Sequence, residues 1–174
     1  MADIQIPKRT KKEKEALISQ VIEMMAIPGK SGEEQEIAEY IRNQLVDAGA
    51  DPKAIRTDTA HRKTRIKGEV GNLVFKLPGT YKAPRRMLSA HMDTVPICEG
   101  CRPKRAGMRV TSIDKHTGLG ADNRAGCGVV LSTALEILRR GLAHPPLTFT
   151  WFVQEEVGLQ GSRHATTSLF GNPE

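Results

Sequence analysis

The chain has 174 residues and a net charge of +6, with 39% hydrophobic, 26% charged and 4% aromatic residues, a balance that excludes a disordered chain and makes one folded domain the expectation. Apolar runs such as Leu147 to Val153 fall far short of the roughly 20 residues that span a bilayer, and Met1-Ala2-Asp3-Ile4 lacks the basic start and apolar body of a signal peptide. The expectation is a cytoplasmic protein with no membrane partner.

Basic residues open the chain at Lys8, Arg9, Lys11, Lys12 and Lys14 and recur at 62–67, 82–86 and 102–105. Nucleic-acid modules pair such runs with stacking aromatics. Tyr40, Tyr81, Trp151 and the four Phe do not interleave with them, so the runs read as solvated surface and no nucleic-acid partner is expected. Leu17, Val21, Ile22 and Met25 recur at helical spacing until Pro28-Gly29, which ends a first helix near Ala26. Ser31 and Glu34 read as a capping box for a second helix with Ile37, Ile41 and Leu45 on one face and Gly49 as terminator. Short β-type runs follow at 72–77, 87–90 and 147–153. Between the last two, the segment from Arg124 to Arg139 carries Val129, Val130, Leu135 and Leu138 on a helical pattern and stops before Gly141. Strand, helix, strand is the unit of a largely parallel sheet, so the fold class is α/β, with ligands expected at the carboxyl ends of the strands.

Three cysteines, Cys98, Cys101 and Cys127, are too few and too uneven for a disulfide framework, which suits a reducing compartment. No second C-x-x-C or histidine pair completes a tetrahedral zinc site with Cys98-Glu99-Gly100-Cys101, and no thioredoxin-like pattern surrounds it.

The chemistry concentrates where the strands end, in Ser89-Ala90-His91-Met92-Asp93-Thr94-Val95-Pro96, Gly118-Leu119-Gly120-Ala121-Asp122-Asn123-Arg124 and Gln154-Glu155-Glu156-Val157-Gly158. Side chains alternate along a strand, so His91 and Asp93 can point to the same side, one binding a metal and the other orienting it. Asp122 lies in a Gly-rich loop ahead of a helix, where a short carboxylate can reach two cations and is the candidate bridge. Glu155 and Glu156 place two anions at one strand end, which cations would compensate. Consecutive side chains diverge, so one glutamate would bind a cation and the other would handle the proton of a water. Taken singly, His91 reads as an ordinary strand-end residue and the Glu pair as solvated surface. Their combination carries the weight. His61, His116, His144 and His164 lack such partners in sequence and stay unassigned.

The set His91-Met92-Asp93-Thr94-Val95-Pro96, Gly120-Ala121-Asp122-Asn123 and Glu155-Glu156-Val157-Gly158 resembles the zinc exopeptidase superfamily. More narrowly it resembles peptidase T, the tripeptide aminopeptidases, whose relatives include N-acyl-amino-acid and succinyl-diaminopimelate deacylases. The likeness runs from Ser31-Gly32-Glu33-Glu34 to Gly161-Ser162-Arg163. Glutamyl-aminopeptidase-like enzymes share similar segments but insert a whole domain between the histidine and the bridging aspartate, whereas only the stretch from Asp93 to Asp122 intervenes here.

The resemblance implies a three-layer αβα, phosphorylase/hydrolase-like zinc peptidase domain with a largely parallel mixed sheet. It implies two divalent cations, zinc by family habit with cobalt or manganese as other choices, and a small peptide as substrate. His91 would bind the first metal, Asp93 orient His91, Asp122 bridge both, Glu156 bind the second and Glu155 act as general base. N-acyl amino acids are the alternative substrate, and a catalytically silent binding domain the alternative of another class. Family members are longer, with a further carboxylate ligand after the Glu pair, a lid or dimerisation domain that makes homodimers, and a late histidine. After Glu156 the remaining acid is Glu174, and His164 lies too early. The expectation is that residues 1–174 are a truncated, partial catalytic domain and a poor hydrolase alone.

Overall fold

The computed structural model describes residues 8–173. Helix α1 (Lys11–Ala26) opens with a reciprocal cap: the Thr10 hydroxyl accepts from the Glu13 amide at 3.2 Å, and the Glu13 carboxylate accepts from the Thr10 amide at 2.6 Å. It ends at Ala26, where Ile27 turns extended ahead of Pro28. Helix α2 (Gln35–Asp47) buries Ile37, Ile41 and Leu45, and Gly49 follows at φ +96°, a left-handed conformation that glycine adopts without penalty.

The capping box expected at Ser31 and Glu34 does not form. The second helix starts only after Glu34, which makes no side-chain cap bond. Both side chains are turned inward to the buried partners described below, and these tertiary partners outcompete a local cap.

Strands β1 (Ile55–Thr57), β2 (Leu73–Leu77), β3 (Arg86–His91) and β6 (Leu147–Phe152) form one sheet in the order β1-β2-β6-β3, while β4 (Pro103–Ala106) and β5 (Arg109–Ser112) form a separate hairpin. The sheet is mixed, but its parallel character is confined to β3 and β6; β1–β2 and β2–β6 are antiparallel. A parallel pair needs a long crossover, and helix α3 (Ala121–Arg140) supplies one only between β3 and β6.

Asp122 and Asn123 have non-helical dihedrals, so the regular part of α3 starts at Arg124. The Asn123 Oδ1 accepts from the Gly126 amide at 3.0 Å and caps it. Cys127, Val130, Leu131, Ala134 and Leu135 make the buried stripe of α3, spaced for one helix face. Val129 lies off that stripe and is 63% exposed. This stripe shares a core with Ile37 and Ile41 of α2, Met24 of α1, and Leu73, Phe75, Phe149 and Trp151 of the sheet. Phe149 stacks between Phe75 and Trp151 at 5.8 and 6.5 Å, each buried phenylalanine stabilising the fold by roughly 1.5–3 kcal/mol. On the opposite face Thr148 and Thr150 are buried, and the Thr148 hydroxyl donates to the Phe170 carbonyl at 2.7 Å. The segment after α4 (Gln160–Arg163) therefore covers the back of the sheet there. No helix among the described residues is long and apolar enough to cross a membrane.

Candidate metal centre

His91 and Phe152 are partners in the parallel register, so the chain leaves β3 and β6 side by side, next to the start of α3. There the structure brings together His91, Glu155 and Glu156, with one potential ligand atom from each lying within 4.8 Å of the others. Asp122 approaches from α3, its Oδ1 3.1 Å from His91 Nε2, and the Glu155 carboxylate lies 3.7 Å from the same nitrogen. His91 Nδ1 faces Asp93, 3.2 Å from the carbonyl and 3.4 Å from Oδ1. With the ring proton on Nδ1, where two acceptors wait, the Nε2 lone pair is left for a cation. All five residues singled out in the sequence, His91, Asp93, Asp122, Glu155 and Glu156, thus lie in one place.

Asp93 is fully buried and does more than face the imidazole. Its Oδ1 accepts from the Glu155 amide at 2.9 Å, and its Oδ2 accepts from the Glu156 amide at 3.0 Å and the Ser31 hydroxyl at 2.6 Å. Glu34, also fully buried, accepts on Oε1 from the Gly32 amide at 2.9 Å and the Gln154 amide at 3.0 Å. Three successive amides, 154 to 156, therefore each end on a carboxylate oxygen, the geometry of a backbone nest around anions. Gln154 sits at φ +54° in this turn, and its carboxamide donates to the Lys67 carbonyl. The bend after β6 is thus held from beneath, which fixes where the two glutamates start. Arg124, 1% exposed, donates to the Met24, Pro28 and Gly29 carbonyls at 3.4 Å each, tying the end of α1 to the start of α3.

Gln154 and Arg124 stood inside the strand-end motifs without a role of their own, whereas Ser31 and Glu34 were not legible as parts of the site. The only signal, Ser31-x-x-Glu34, has the same spelling as a helix cap, and burial of its side chains is decided by elements distant in sequence.

Burial disfavours a cationic His91, yet the hydrogen bond and charge of Asp93, with Glu155 and Asp122, outweigh it and raise its pKa. Burial likewise pushes Asp93 up, but His91, Ser31 and the two amides hold it below the usual carboxylate range. Glu156 is raised, first by burial and then by Asp122, Asp93 and Glu155 against the pull of His91. Four carboxylates around one imidazole leave an excess of negative charge that a cation would relieve. One imidazole nitrogen with carboxylate oxygens is a donor set for zinc, cobalt or manganese, so the residues fit a divalent cation. A cavity of about 670 Å³ lies elsewhere, lined by Leu88, Ile137, Leu142 and Leu147 among others, and holds none of these groups.

The chain is 29% identical over 154 residues to the protein YqjE of Bacillus subtilis (strain 168), covering 88% of this chain and 40% of that one. Among solved structures, a tripeptidase from Staphylococcus aureus subsp. aureus Mu50 matches at TM-score 0.80 and 27% identity, over 90% of this chain and 40% of that one. The aminopeptidase PepT from Bacillus cereus ATCC 10987 matches at TM-score 0.79 and 26% identity, over 89% and 40%. The chain thus spans about 40% of the length of these relatives. The resemblance read from the three motifs is borne out at the level of the family: the profile of peptidase family M28 matches residues 72–173, more than half of the chain and all three strand-end motifs, and the chain belongs to that family.

Proposed function

We propose that this chain carries the cation-binding and proton-handling part of the catalytic domain of a metal-dependent peptidase, one that hydrolyses small peptides in the manner of a tripeptide aminopeptidase. The observation that supports this most is the convergence of His91, Glu155 and Glu156 within 4.8 Å, with Asp122 Oδ1 3.1 Å from His91 Nε2. His91, Asp122 and Glu156 would hold two divalent cations, with Asp122 shared, and zinc as the family's metal. Bound there, they would polarise a peptide carbonyl and acidify water.

Glu155 is the group we assign to the proton. Its side chain is 35% exposed, open enough to reach water, while its backbone is anchored on Asp93. It would take a proton from water as the hydroxide adds to the carbonyl carbon, then give that proton to the departing amine as the C–N bond breaks. Asp93 is a positioning residue, holding the His91 ring by Nδ1 and both glutamates by their amides. The tripeptidase and aminopeptidase likenesses favour peptides as substrates. Because the chain spans about 40% of those relatives, cation binding rather than turnover decides the proposal.

Calorimetric titration of the purified chain with zinc or manganese tests it. Two equivalents should bind, and His91→Ala and Asp122→Asn should each lose at least roughly tenfold in affinity. Glu155→Gln should keep the cations and lower any tripeptide hydrolysis the chain shows by about 10²-fold. No saturable binding, or binding indifferent to His91→Ala, would remove the basis of the assignment.

A further inference from the structure

Cys98 and Cys101 bracket a reverse turn between β3 and β4. The Cys101 amide donates to the Cys98 carbonyl at 3.1 Å, Glu99 has φ −61° and ψ 134°, and Gly100 has φ +73°. These are the dihedrals of a type II turn, whose third position demands the left-handed conformation that glycine supplies. Such a turn sets its first and fourth Cα atoms within about 7 Å, and a disulfide spans roughly 4.4–6.8 Å. Both are free thiols, Cys98 half-buried and Cys101 buried.

The two sulfurs also meet one short segment. Cys101 Sγ donates to the Leu119 carbonyl at 3.5 Å, and a Cβ built on Gly118 would lie 2.7 Å from Cys98 Sγ. The Gly118 amide in turn donates to the Ile97 carbonyl at 2.8 Å. The cysteine turn therefore clasps Gly118-Leu119-Gly120, the segment that leads into Asp122. No thioredoxin-like frame is needed for the pair to close, because the turn itself supplies the approach.

We propose that Cys98 and Cys101 are an oxidation site, a dithiol that closes to an intrachain disulfide under peroxide and, in closing, displaces the loop that delivers Asp122. The more exposed Cys98 sulfur attacks one peroxide oxygen, giving a sulfenic acid and one water. Cys101 then attacks the sulfenic sulfur and expels a second water, so two thiols and one hydrogen peroxide yield one disulfide and two waters. Burial holds the Cys98 thiol above its ordinary value, so thiolate is scarce at neutral pH and the pair responds to sustained oxidant. Forming the bond takes Cys101 Sγ from the Leu119 carbonyl and Cys98 Sγ from Gly118, which loosens the clasp. The effect on cations rests on the reading of Asp122 as a ligand; the disulfide does not.

The test treats the whole chain with hydrogen peroxide, alkylates remaining thiols in denaturant and maps the peptides by mass spectrometry. Manganese binding is then followed by the spin resonance of the free ion, since manganese prefers oxygen donors to thiolates. Cys98 and Cys101 should be linked within a monomer while Cys127, fully buried, stays reduced. Manganese affinity should fall at least roughly tenfold, return on reduction with dithiothreitol, and stay unchanged through the same treatment in Cys101→Ser. Thiols that remain alkylatable, Cys98 oxidised further without a link, or a disulfide that leaves manganese affinity untouched would each overturn the proposal. A reduced chain that binds no manganese would instead defeat the metal reading, and the peptide map would still decide the disulfide.

Discussion

Glu34 occupies a position where its charge is unwelcome. Its Oε1 accepts two amides, but its Oε2 is buried without a partner. Burial first, and then the charge of Asp93, push its carboxyl up to about 7 against the pull of the amides. Asp93, holding the adjacent amides, stays ionised, since two neighbouring buried carboxylates do not both ionise cheaply. A folded-state pKa raised above the unfolded value means that the stabilising contribution is fully present below about pH 4.5 and is lost as pH rises through about 7. That gap amounts to roughly 3 kcal/mol. Glu34→Gln, which keeps an acceptor and cannot ionise, should therefore gain on the parent protein by about 3 kcal/mol between pH 4.5 and 8. Urea unfolding in the presence of a chelator measures this difference. A mutant-minus-parent difference that stays flat with pH would show that Glu34 titrates as an ordinary exposed glutamate.

Helices α1 and α3 meet at Gly128, where an added Cβ would lie 2.5 Å from Val21 Cγ2. Alanine in place of a helical glycine gains about 1 kcal/mol of propensity, whereas overpacking costs about 1–3 kcal/mol. The valine is branched next to its backbone and cannot swing clear, so crowding wins. Gly128→Ala should lower stability by about 1 kcal/mol, and adding Val21→Ala should recover part of that loss, a coupling that a double-mutant cycle in denaturant reads directly. A neutral or stabilising Gly128→Ala would mean that the helices do not touch there. Elements of this kind were legible in the sequence because burial imposes a period, 3.6 on α1, α2 and α3 and a short apolar run on β2, β3 and β6. Strand β1 and the β4–β5 hairpin were not. They are short and mostly exposed, and Lys104, Arg105 and Arg109 give no hydrophobic alternation to read. The Ser31–Glu34 string was legible and misleading, since nothing local distinguishes a cap from two side chains drawn inward.

At the scale of the molecule, the candidate site gathers groups from around residues 31–34, 91–93, 122 and 154–156. The motifs at 91, 122 and 155 stood out because each lies at a strand end or helix start, and the β3-α3-β6 crossover brings those ends together. The carboxylate layer beneath them depends on how α2 and its loop pack, which no single segment encodes. An unfolded chain scatters these donors, so a cation binds the folded state almost alone. Free cation at a hundredfold excess over Kd then adds about 2.7 kcal/mol, which for a chain of this size raises Tm by about 5–10 °C. The raised pKa values of His91 and Glu156 fix the sign of the pH dependence. Cations held there as proposed would have to displace protons that these groups hold more tightly than usual, so the thermal gain shrinks as pH falls. Thermal melts with manganese or zinc against chelator should show a rise in Tm that is larger at pH 8 than at pH 5.5 and falls to about half or less in His91→Ala at the same free cation. A rise of equal size in His91→Ala, or one that grows as the solution is acidified, would place the stabilising cations somewhere other than the end of β3 and β6.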